Sequence, residues 1–228
     1  MFEGTKKEWS FIYLLDTSAS MYGAKINQLN VAMSEVLQIA EEFADKREVA
    51  LNTRIIEFNS TARWIFGNTQ HGVKHIEWKS LNAGGATDTA SAIDLAQRAV
   101  RKECFGTKSR CPIIVILITD GSSNEPQDTF LAIERLSCEE TIRIAIGIGD
   151  DVNQEELEAF ASVGDFEYRG IIQYDTPYVF NIDSVFALKE ILQFVFLLIM
   201  PSPVHDFDEA DIELLVEDDI DDDSEWED

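Results

Sequence analysis

Runs of apolar residues alternate with amphipathic stretches along most of this chain. Residues 11–15 and 113–118 show no polar alternation, which is typical of parallel strands covered on both faces. Elsewhere apolar positions recur at helical spacing, as they do from Ile26 to Phe43. The predicted strands are residues 11–15, 49–58, 62–66, 112–119 and 141–148, and the predicted helices are one ending near residue 45 and residues 87–102, 126–138, 154–163 and 183–199.

The order of these elements predicts the fold class. Strands that alternate with helices form βαβ units with right-handed crossovers, so we expect an α/β, doubly wound, mostly parallel central sheet flanked by helices. Residues 164–180 are mixed and include a candidate final strand at 170–172, and residues 73–78 form a short extended piece. Prolines at 201 and 203 end the last helix. They divide the chain into a domain of residues 1–200 and an acidic tail of residues 201–228.

Charge narrows the range of partners. The net charge is −25, and residues 205–228 hold 14 acidic and no basic side chains. Acidic residues still outnumber basic ones by 29 to 18 in the rest of the chain. Such a surface repels phosphate backbones, so we expect no nucleic acid and favour cations or basic partners.

The cysteines and apolar runs predict a cellular compartment. Cys104, Cys111 and Cys138 are odd in number and form no CxxC pair, which favours free thiols in a reducing compartment. Residues 1–8 lack the apolar stretch of a signal peptide. Residues 194–200 are far shorter than the ~20 apolar residues that span a bilayer. We therefore expect a cytoplasmic protein that does not bind membranes.

Three polar segments lie where a predicted strand ends or a predicted helix begins. Asp16, Ser18 and Ser20 close the first apolar run, Thr87 lies in a Gly-Gly-Ala-Thr segment, and Asp120 closes the central strand. Side chains beyond the carboxyl ends of parallel strands converge at one edge of the sheet. The negative charges of two carboxylates neutralise the charge of a divalent cation. Neutral hydroxyls are weak donors and leave the cation a strong Lewis acid, and Mg²⁺ prefers six oxygen ligands. These five residues therefore predict a site for Mg²⁺, with Mn²⁺ or Ca²⁺ as alternatives, that leaves one position for a partner's Asp or Glu carboxylate.

Through these segments the chain resembles a von Willebrand factor A domain with a metal-ion-dependent adhesion site, over about residues 8–200. It looks most similar to bacterial stand-alone members of the tellurite-resistance-associated type. The resemblance implies that Ser18 and Ser20 are direct ligands and that Asp16 and Asp120 coordinate directly or through water. Thr87 is implied to join when the site engages its ligand.

Glycines near the site carry a second expectation. Gly84 and Gly85 are expected to let the threonine loop approach closely, and Gly121 to do the same beside Asp120. Ala19 stands where glycine is common in the family, and alanine fits unless that position needs a positive φ.

The resemblance implies a function. We expect an adaptor, not an enzyme, that binds a protein through a metal-bridged carboxylate in a bacterial stress-response or signalling system. In the family the last helix shifts as binding strengthens, and residues 183–199 correspond to it here. A metal-dependent hydrolase or phosphatase remains an alternative. So does a subunit that assists an ATP-driven machine, since some members of the family serve such machines; the sequence has no P-loop motif, so the ATPase would be a separate protein.

The remaining candidates have simpler interpretations. His71 and His75 are expected to be surface histidines, and no GxSxG motif supports a catalytic triad. Trp64, Phe66 and Trp78 are expected to be core or rim aromatics.

The acidic tail leaves three interpretations open. It is a solvated appendage, a segment that docks on a basic partner through Ile212, Leu215 and Val216, or a plug that offers a carboxylate to the metal site.

Overall fold

The computed structural model describes residues 8–47, 49–67, 77–106, 112–137, 139–182 and 185–199. Eight strands are present among these residues: β1 (Glu8–Asp16), β2 (Ala50–Phe58), β3 (Ala62–Phe66), β4 (Ile113–Thr119), β5 (Thr141–Ile148), β6 (Val163–Tyr168), β7 (Ile171–Pro177) and β8 (Val179–Ile182). Six of them form one sheet in the order β3-β2-β1-β4-β5-β8. Neighbouring strands in it are parallel except β2 and β3, which form an antiparallel hairpin. The predicted mostly parallel sheet is confirmed.

Helices cover both faces of this sheet. The five α-helices in the described ranges are α1 (Ala24–Arg47), α2 (Thr89–Gly106), α3 (Pro126–Ser137), α4 (Gln154–Phe160) and α5 (Val185–Ile199). One apolar core joins the sheet to α1 and α5, and a second core joins the opposite face to α2, α3 and α4. The doubly wound α/β arrangement predicted from the sequence is therefore also confirmed.

The two central strands, β1 and β4, place the candidate site. Leu14 packs into the core of α2, α3 and α4, whereas Leu15 packs into the core of α1 and α5. Because both faces are covered, both strands are apolar almost throughout. Leu15 pairs with Ile118, so the strands end side by side. Asp16 and Asp120, which end β1 and follow β4, consequently lie at the same edge of the sheet.

The segment after α4 differs from the prediction of a single strand at residues 170–172. β6 and β7 form a separate antiparallel hairpin, and the sixth strand of the main sheet is β8. Arg169 and Gly170 adopt φ values of 52° and 76°, as in the two-residue turns that join twisted antiparallel strands. Phe166 on the hairpin packs against Phe180 of β8, with ring centroids 5.6 Å apart. The hairpin was missed because the apolar residues of β7 do not alternate: Ile171, Ile172 and Tyr174 are all more than half exposed, so the strand lacks the pattern of a half-buried one.

Two helix ends also differ from the sequence pattern. α2 begins at Thr89 instead of residue 87, because the Asp88 carboxylate accepts hydrogen bonds from the N–H of Ser91 at 3.0 Å and its hydroxyl at 2.6 Å. Asp88 thus caps the helix, and Thr87 stays in the preceding loop. α4 ends at Phe160 instead of residue 163, where β6 begins.

Several predictions fall outside the described residues. Of the expected extended piece at residues 73–78, only residues 77 and 78 are described, and they form no regular element. No helix in the described parts of the chain is long and apolar enough to cross a bilayer. The other predictions outside the described part concern His71, His75, Cys111, Cys138, the side chain of Cys104, the helix start at residues 183–184, the boundary near residue 200 and the tail of residues 201–228.

Candidate metal centre

Asp16 is a buried carboxylate at the end of β1. Its Oδ1 accepts a hydrogen bond from the backbone N–H of Ser18 at 2.7 Å, and its Oδ2 accepts one from the Thr119 hydroxyl at 2.6 Å. Burial raises the pKa of Asp16 above its usual value, these hydrogen bonds act against that rise, and the nearby charge of Asp120 adds to it. The ionised form of Asp16 is therefore disfavoured as it stands, and a bound cation would favour it.

Ser18, Ser20 and Asp120 form a continuous chain of oxygen atoms. The hydroxyl oxygens of Ser18 and Ser20 lie 2.9 Å apart, and the Ser20 hydroxyl donates to Asp120 Oδ1 at 2.6 Å. Asp120 and Ser18 are buried, whereas Ser20 is exposed. The two ends of the chain are thus buried, and its middle member, Ser20, lies at the surface, where a ligand from solvent can reach it.

Lys25 is a site residue that the sequence analysis missed. It lies in the first turn of α1, and its Nζ is 2.6 Å from Asp120 Oδ2. A cation in the first turn opposes the helix dipole, so a lysine at that position suggests an anion within its reach. The sequence therefore did contain a signal for this contact: a lysine at the start of a predicted helix, only five residues after the candidate ligand Ser20.

Gly85 brings the threonine loop against the Asp16 loop. Its backbone has φ +86°, and an added Cβ would lie 2.7 Å from the Ser60 hydroxyl. Its carbonyl oxygen accepts the N–H of Ala19 at 3.0 Å, while the N–H of Gly84 donates to the Thr17 carbonyl at 2.8 Å. These two bonds fix one loop to the other, as the sequence analysis expected of Gly85.

The expectation for the other glycines was wrong. No atom lies within 4 Å of a Cβ placed on Gly84, and a Cβ on Gly121 would make only an ordinary 3.8 Å contact with the Ser20 hydroxyl. Neither residue has a positive φ. Ala19 also has no positive φ, so alanine fits there without strain.

Thr87 is buried, and its backbone is tied to the loop that follows Asp120. Its N–H donates to the Asn124 side-chain oxygen, and its carbonyl accepts the Asn124 N–H at 2.9 Å. The segments that carry Asp16, Thr87 and Asp120 are therefore joined directly, although they are far apart in sequence.

Glu156 is a second residue that sequence reasoning missed. This buried carboxylate on α4 accepts hydrogen bonds at 3.1 Å from both the N–H and the hydroxyl of Ser123, and another at 3.0 Å from the Asn153 side chain. It thereby clamps the loop after Asp120 to α4. No local sequence pattern signals this contact, because its partners are 33 residues apart.

The other candidates stay outside this site. Trp64, Phe66 and Trp78 are partly buried and pack against the two cores, as expected for core or rim aromatics. Among the described residues, no three His, Cys, Asp or Glu side chains gather as a metal site. A cation at Asp16 and Asp120 would therefore depend on serine and threonine hydroxyls for its remaining protein ligands.

A family model matches most of this chain. The family model described as von Willebrand factor type A domain matches residues 12–193. The collagen alpha-5(VI) chain of Mus musculus is 26% identical over 159 residues, which are 68% of this chain and 6% of that one.

Three solved structures share the fold, each over 83% of this chain. A von Willebrand factor type A protein from Catenulispora acidiphila has a TM-score of 0.63 and 19% identity, over 42% of its own length. The ArnB paralog VWA2 from Sulfolobus acidocaldarius has a TM-score of 0.59 and 20% identity, over 45% of its length. Proximal thread matrix protein 1 from the mussel byssus, with a zinc-occupied MIDAS motif, has a TM-score of 0.58 and 18% identity, also over 45%. The chain thus spans less than half of each of these proteins, and the likeness extends to the fold.

Proposed function

The chain belongs to the von Willebrand factor type A domain family, and on that premise we propose that it is a metal-dependent protein-interaction module. In this proposal Asp16, Ser18, Ser20, Thr87 and Asp120 hold a divalent cation at the edge of the sheet, with Mg²⁺ as the first candidate. When bound, the cation supplies a positive centre that a carboxylate oxygen of a partner protein can coordinate.

One observation carries the proposal. Oxygen atoms from two loops, 100 residues apart in sequence, are in direct contact: the exposed Ser20 hydroxyl donates to the buried Asp120 carboxylate and lies 2.9 Å from the buried Ser18 hydroxyl. The donor types suit a hard cation, since all of them are carboxylate or hydroxyl oxygens. Lys25 further supports the fit, because its positively charged ammonium group already pairs with the Asp120 carboxylate, as a metal cation would.

The chain's own residues do the remaining work. Thr119 and the N–H of Ser18 orient the Asp16 carboxylate, and Glu156 holds the loop after Asp120 in place. The exposed position of Ser20 leaves the outer end of the site open to a partner. These roles are those of a binding site, so we propose an adaptor and not an enzyme.

The cellular setting is part of the proposal. We propose a reducing cytoplasm, since three cysteines cannot all pair within one chain, and a stress-response or signalling role, as the resemblance to the tellurite-resistance-associated type implies. We propose that a partner supplies Asp or Glu to the cation and that a basic surface of a partner attracts the acidic tail.

Titration calorimetry of Mg²⁺, Mn²⁺ and Ca²⁺ tests the metal site directly. We expect the wild type to take up one cation per chain. Ser18→Ala/Ser20→Ala should lose more than about a hundredfold in affinity, since loss of a residue that only hydrogen-bonds to a metal ligand already costs about 10–100-fold. Ser34→Ala/Ser80→Ala removes two exposed hydroxyls elsewhere and should bind as the wild type does. Equal affinity of both double variants and wild type, or no uptake by any of them, contradicts the proposal.

Affinity capture then tests the adaptor role. The same three proteins are used as bait, with and without chelator. Partners retained by wild type and the Ser34/Ser80 variant, but lost with chelator or with Ser18→Ala/Ser20→Ala, are expected. A set of captured proteins that is the same under all these conditions would argue against a metal-bridged contact.

A further inference from the structure

Lys25 holds one of the two oxygens of a fully buried carboxylate. Its Nζ lies 2.6 Å from Asp120 Oδ2, while the Ser20 hydroxyl takes Oδ1 at 2.6 Å. The Lys25 side chain remains 31% exposed, so its ammonium group reaches inward from the rim of the site. The same side chain is therefore able to leave Asp120 for solvent without crossing the core.

The side chain of Lys25 lies beside Gly149, the residue that follows β5. A Cβ placed on Gly149, which has φ +84°, would lie 3.7 Å from both Cε and Nζ of Lys25. The lysine side chain thus lies alongside Gly149, at a distance where even a methyl group would make an ordinary contact. Since the first turn of a helix disfavours a cation, the bond to Asp120 is what holds the ammonium group there.

A divalent cation and this ammonium group require the same carboxylate. A cation bound to Asp120 would lie close to the positive charge of Lys25. Because the site is buried, water and salt would screen the repulsion between the two charges only weakly. We propose that Lys25 is a built-in competitor for the cation: it keeps Asp120 paired until a divalent cation displaces it, and so weakens cation affinity. This inference rests on the proposed function, because it assigns the regulation of that same metal site.

Lys25→Met tests the competition, because methionine keeps a long, helix-compatible side chain without charge. A hydrogen bond to a charged group is worth about 1.5–3 kcal/mol, so its removal as a competitor should tighten Mg²⁺ binding about tenfold or more in calorimetry. Lys46→Met, in the last turn of the same helix, makes the same change in net charge far from Asp120 and should leave the affinity within about twofold. Lys25→Gln is neutral but can still donate to Asp120, and it should lie between Lys25→Met and wild type.

A second measurement observes the displacement itself. In ¹⁵N-lysine-labelled, chelator-treated protein, the Lys25 ammonium group should give a slowly exchanging NMR signal that is lost as Mg²⁺ is added and is missing in Lys25→Met. Mg²⁺ uptake by wild type with an unchanged or weaker affinity in Lys25→Met overturns this inference alone. If neither protein takes up any of the three divalent cations, the proposed function fails together with it. Equal tightening in Lys25→Met and Lys46→Met would also overturn it, since net charge alone would then explain the effect.

Discussion

Gly85→Ala should destabilise the fold and the site together. Alanine at φ +86° carries a strain of about 1–2 kcal/mol. Its Cβ would also lie 2.7 Å from the Ser60 hydroxyl, which accepts the N–H of Ala86 at 2.9 Å. Displacing that hydroxyl costs a further ~1 kcal/mol for the lost hydrogen bond. We therefore expect the free energy of unfolding to fall by about 2–3 kcal/mol.

Gly84→Ala is the matched control, because it adds the same methyl group one residue earlier. Its Cβ meets no atom within 4 Å and its φ is not positive. A glycine that can be replaced without strain leaves stability unchanged or raises it by about 0.4–1 kcal/mol. Guanidinium unfolding of both variants in chelator, followed by circular dichroism, measures the difference. Equal stability of the two variants would refute the argument.

A double-mutant cycle separates the two costs of Gly85→Ala. In a Ser60→Ala background the hydroxyl is already gone, so Gly85→Ala should cost only the strain of about 1–2 kcal/mol. Mg²⁺ affinity should fall in Gly85→Ala, since the Gly85 carbonyl holds the N–H of Ala19 beside Ser20. A full 2–3 kcal/mol loss in both backgrounds would show that the clash with Ser60 contributes nothing.

Three further predictions concern the carboxylates. Because burial raises the pKa of Asp16 in the folded state, the contribution of its protonation to stability is present at low pH and is lost as the pH rises through the folded-state pKa. In chelator, Asp16→Asn should therefore raise the unfolding midpoint more at pH 8 than at pH 4. The same variant should abolish Mg²⁺ uptake. Glu156→Gln replaces an acceptor of the Ser123 bonds with an amide that cannot satisfy all of them, and should cost about 1–3 kcal/mol in urea unfolding, against none for exposed Glu155→Gln. Wild type with Mg²⁺ should hydrolyse p-nitrophenyl phosphate and acetate no faster than Asp120→Ala, and turnover lost in that variant would favour the hydrolase alternative.

The sequence was sufficient for the parts of the site that follow from strand ends. Two apolar runs without polar alternation predict neighbouring buried strands, and parallel strands end at one edge. That reasoning places Asp16 beside Asp120, and the hydrogen bonds through Ser20 agree with it. It requires only that β1 and β4 are buried parallel strands of one sheet, which their unbroken apolar runs predict, whereas their adjacency is set by the tertiary fold.

The contacts that sequence reasoning missed depend on tertiary packing. Glu156 reaches Ser123 only because α4 packs beside the loop after β4. Lys25 reaches Asp120 only because the start of α1 packs beside the loop that follows β4. Nothing within a turn or two of either residue encodes these distances, whereas the capping of α2 by Asp88 is local and could have been read from the Asp-Thr-Ala-Ser segment.

A route from the cation site to the last helix follows from Lys25. Lys25 lies over Gly149, whose N–H donates to the Ile182 carbonyl at 2.8 Å, three residues before α5. α5 also contacts α1, where Lys189 lies 3.3 Å from Glu35. Lys25 thus lies beside two elements that contact α5, and we predict that its movement on cation binding shifts this helix, as the family resemblance implies.

Cross-linking α5 to α1 tests that path. A short bismaleimide would join Glu35→Cys to Lys189→Cys, in a background where Cys104, Cys111 and Cys138 are serine. Because the link holds α5 where Lys25 pairs with Asp120, and coupling between sites is reciprocal, we expect Mg²⁺ to bind severalfold more weakly than to the same variant before linking. Adding Lys25→Met should remove most of that difference, since the competitor is gone. If linked and unlinked proteins bind Mg²⁺ with equal affinity, α5 is not coupled to the site.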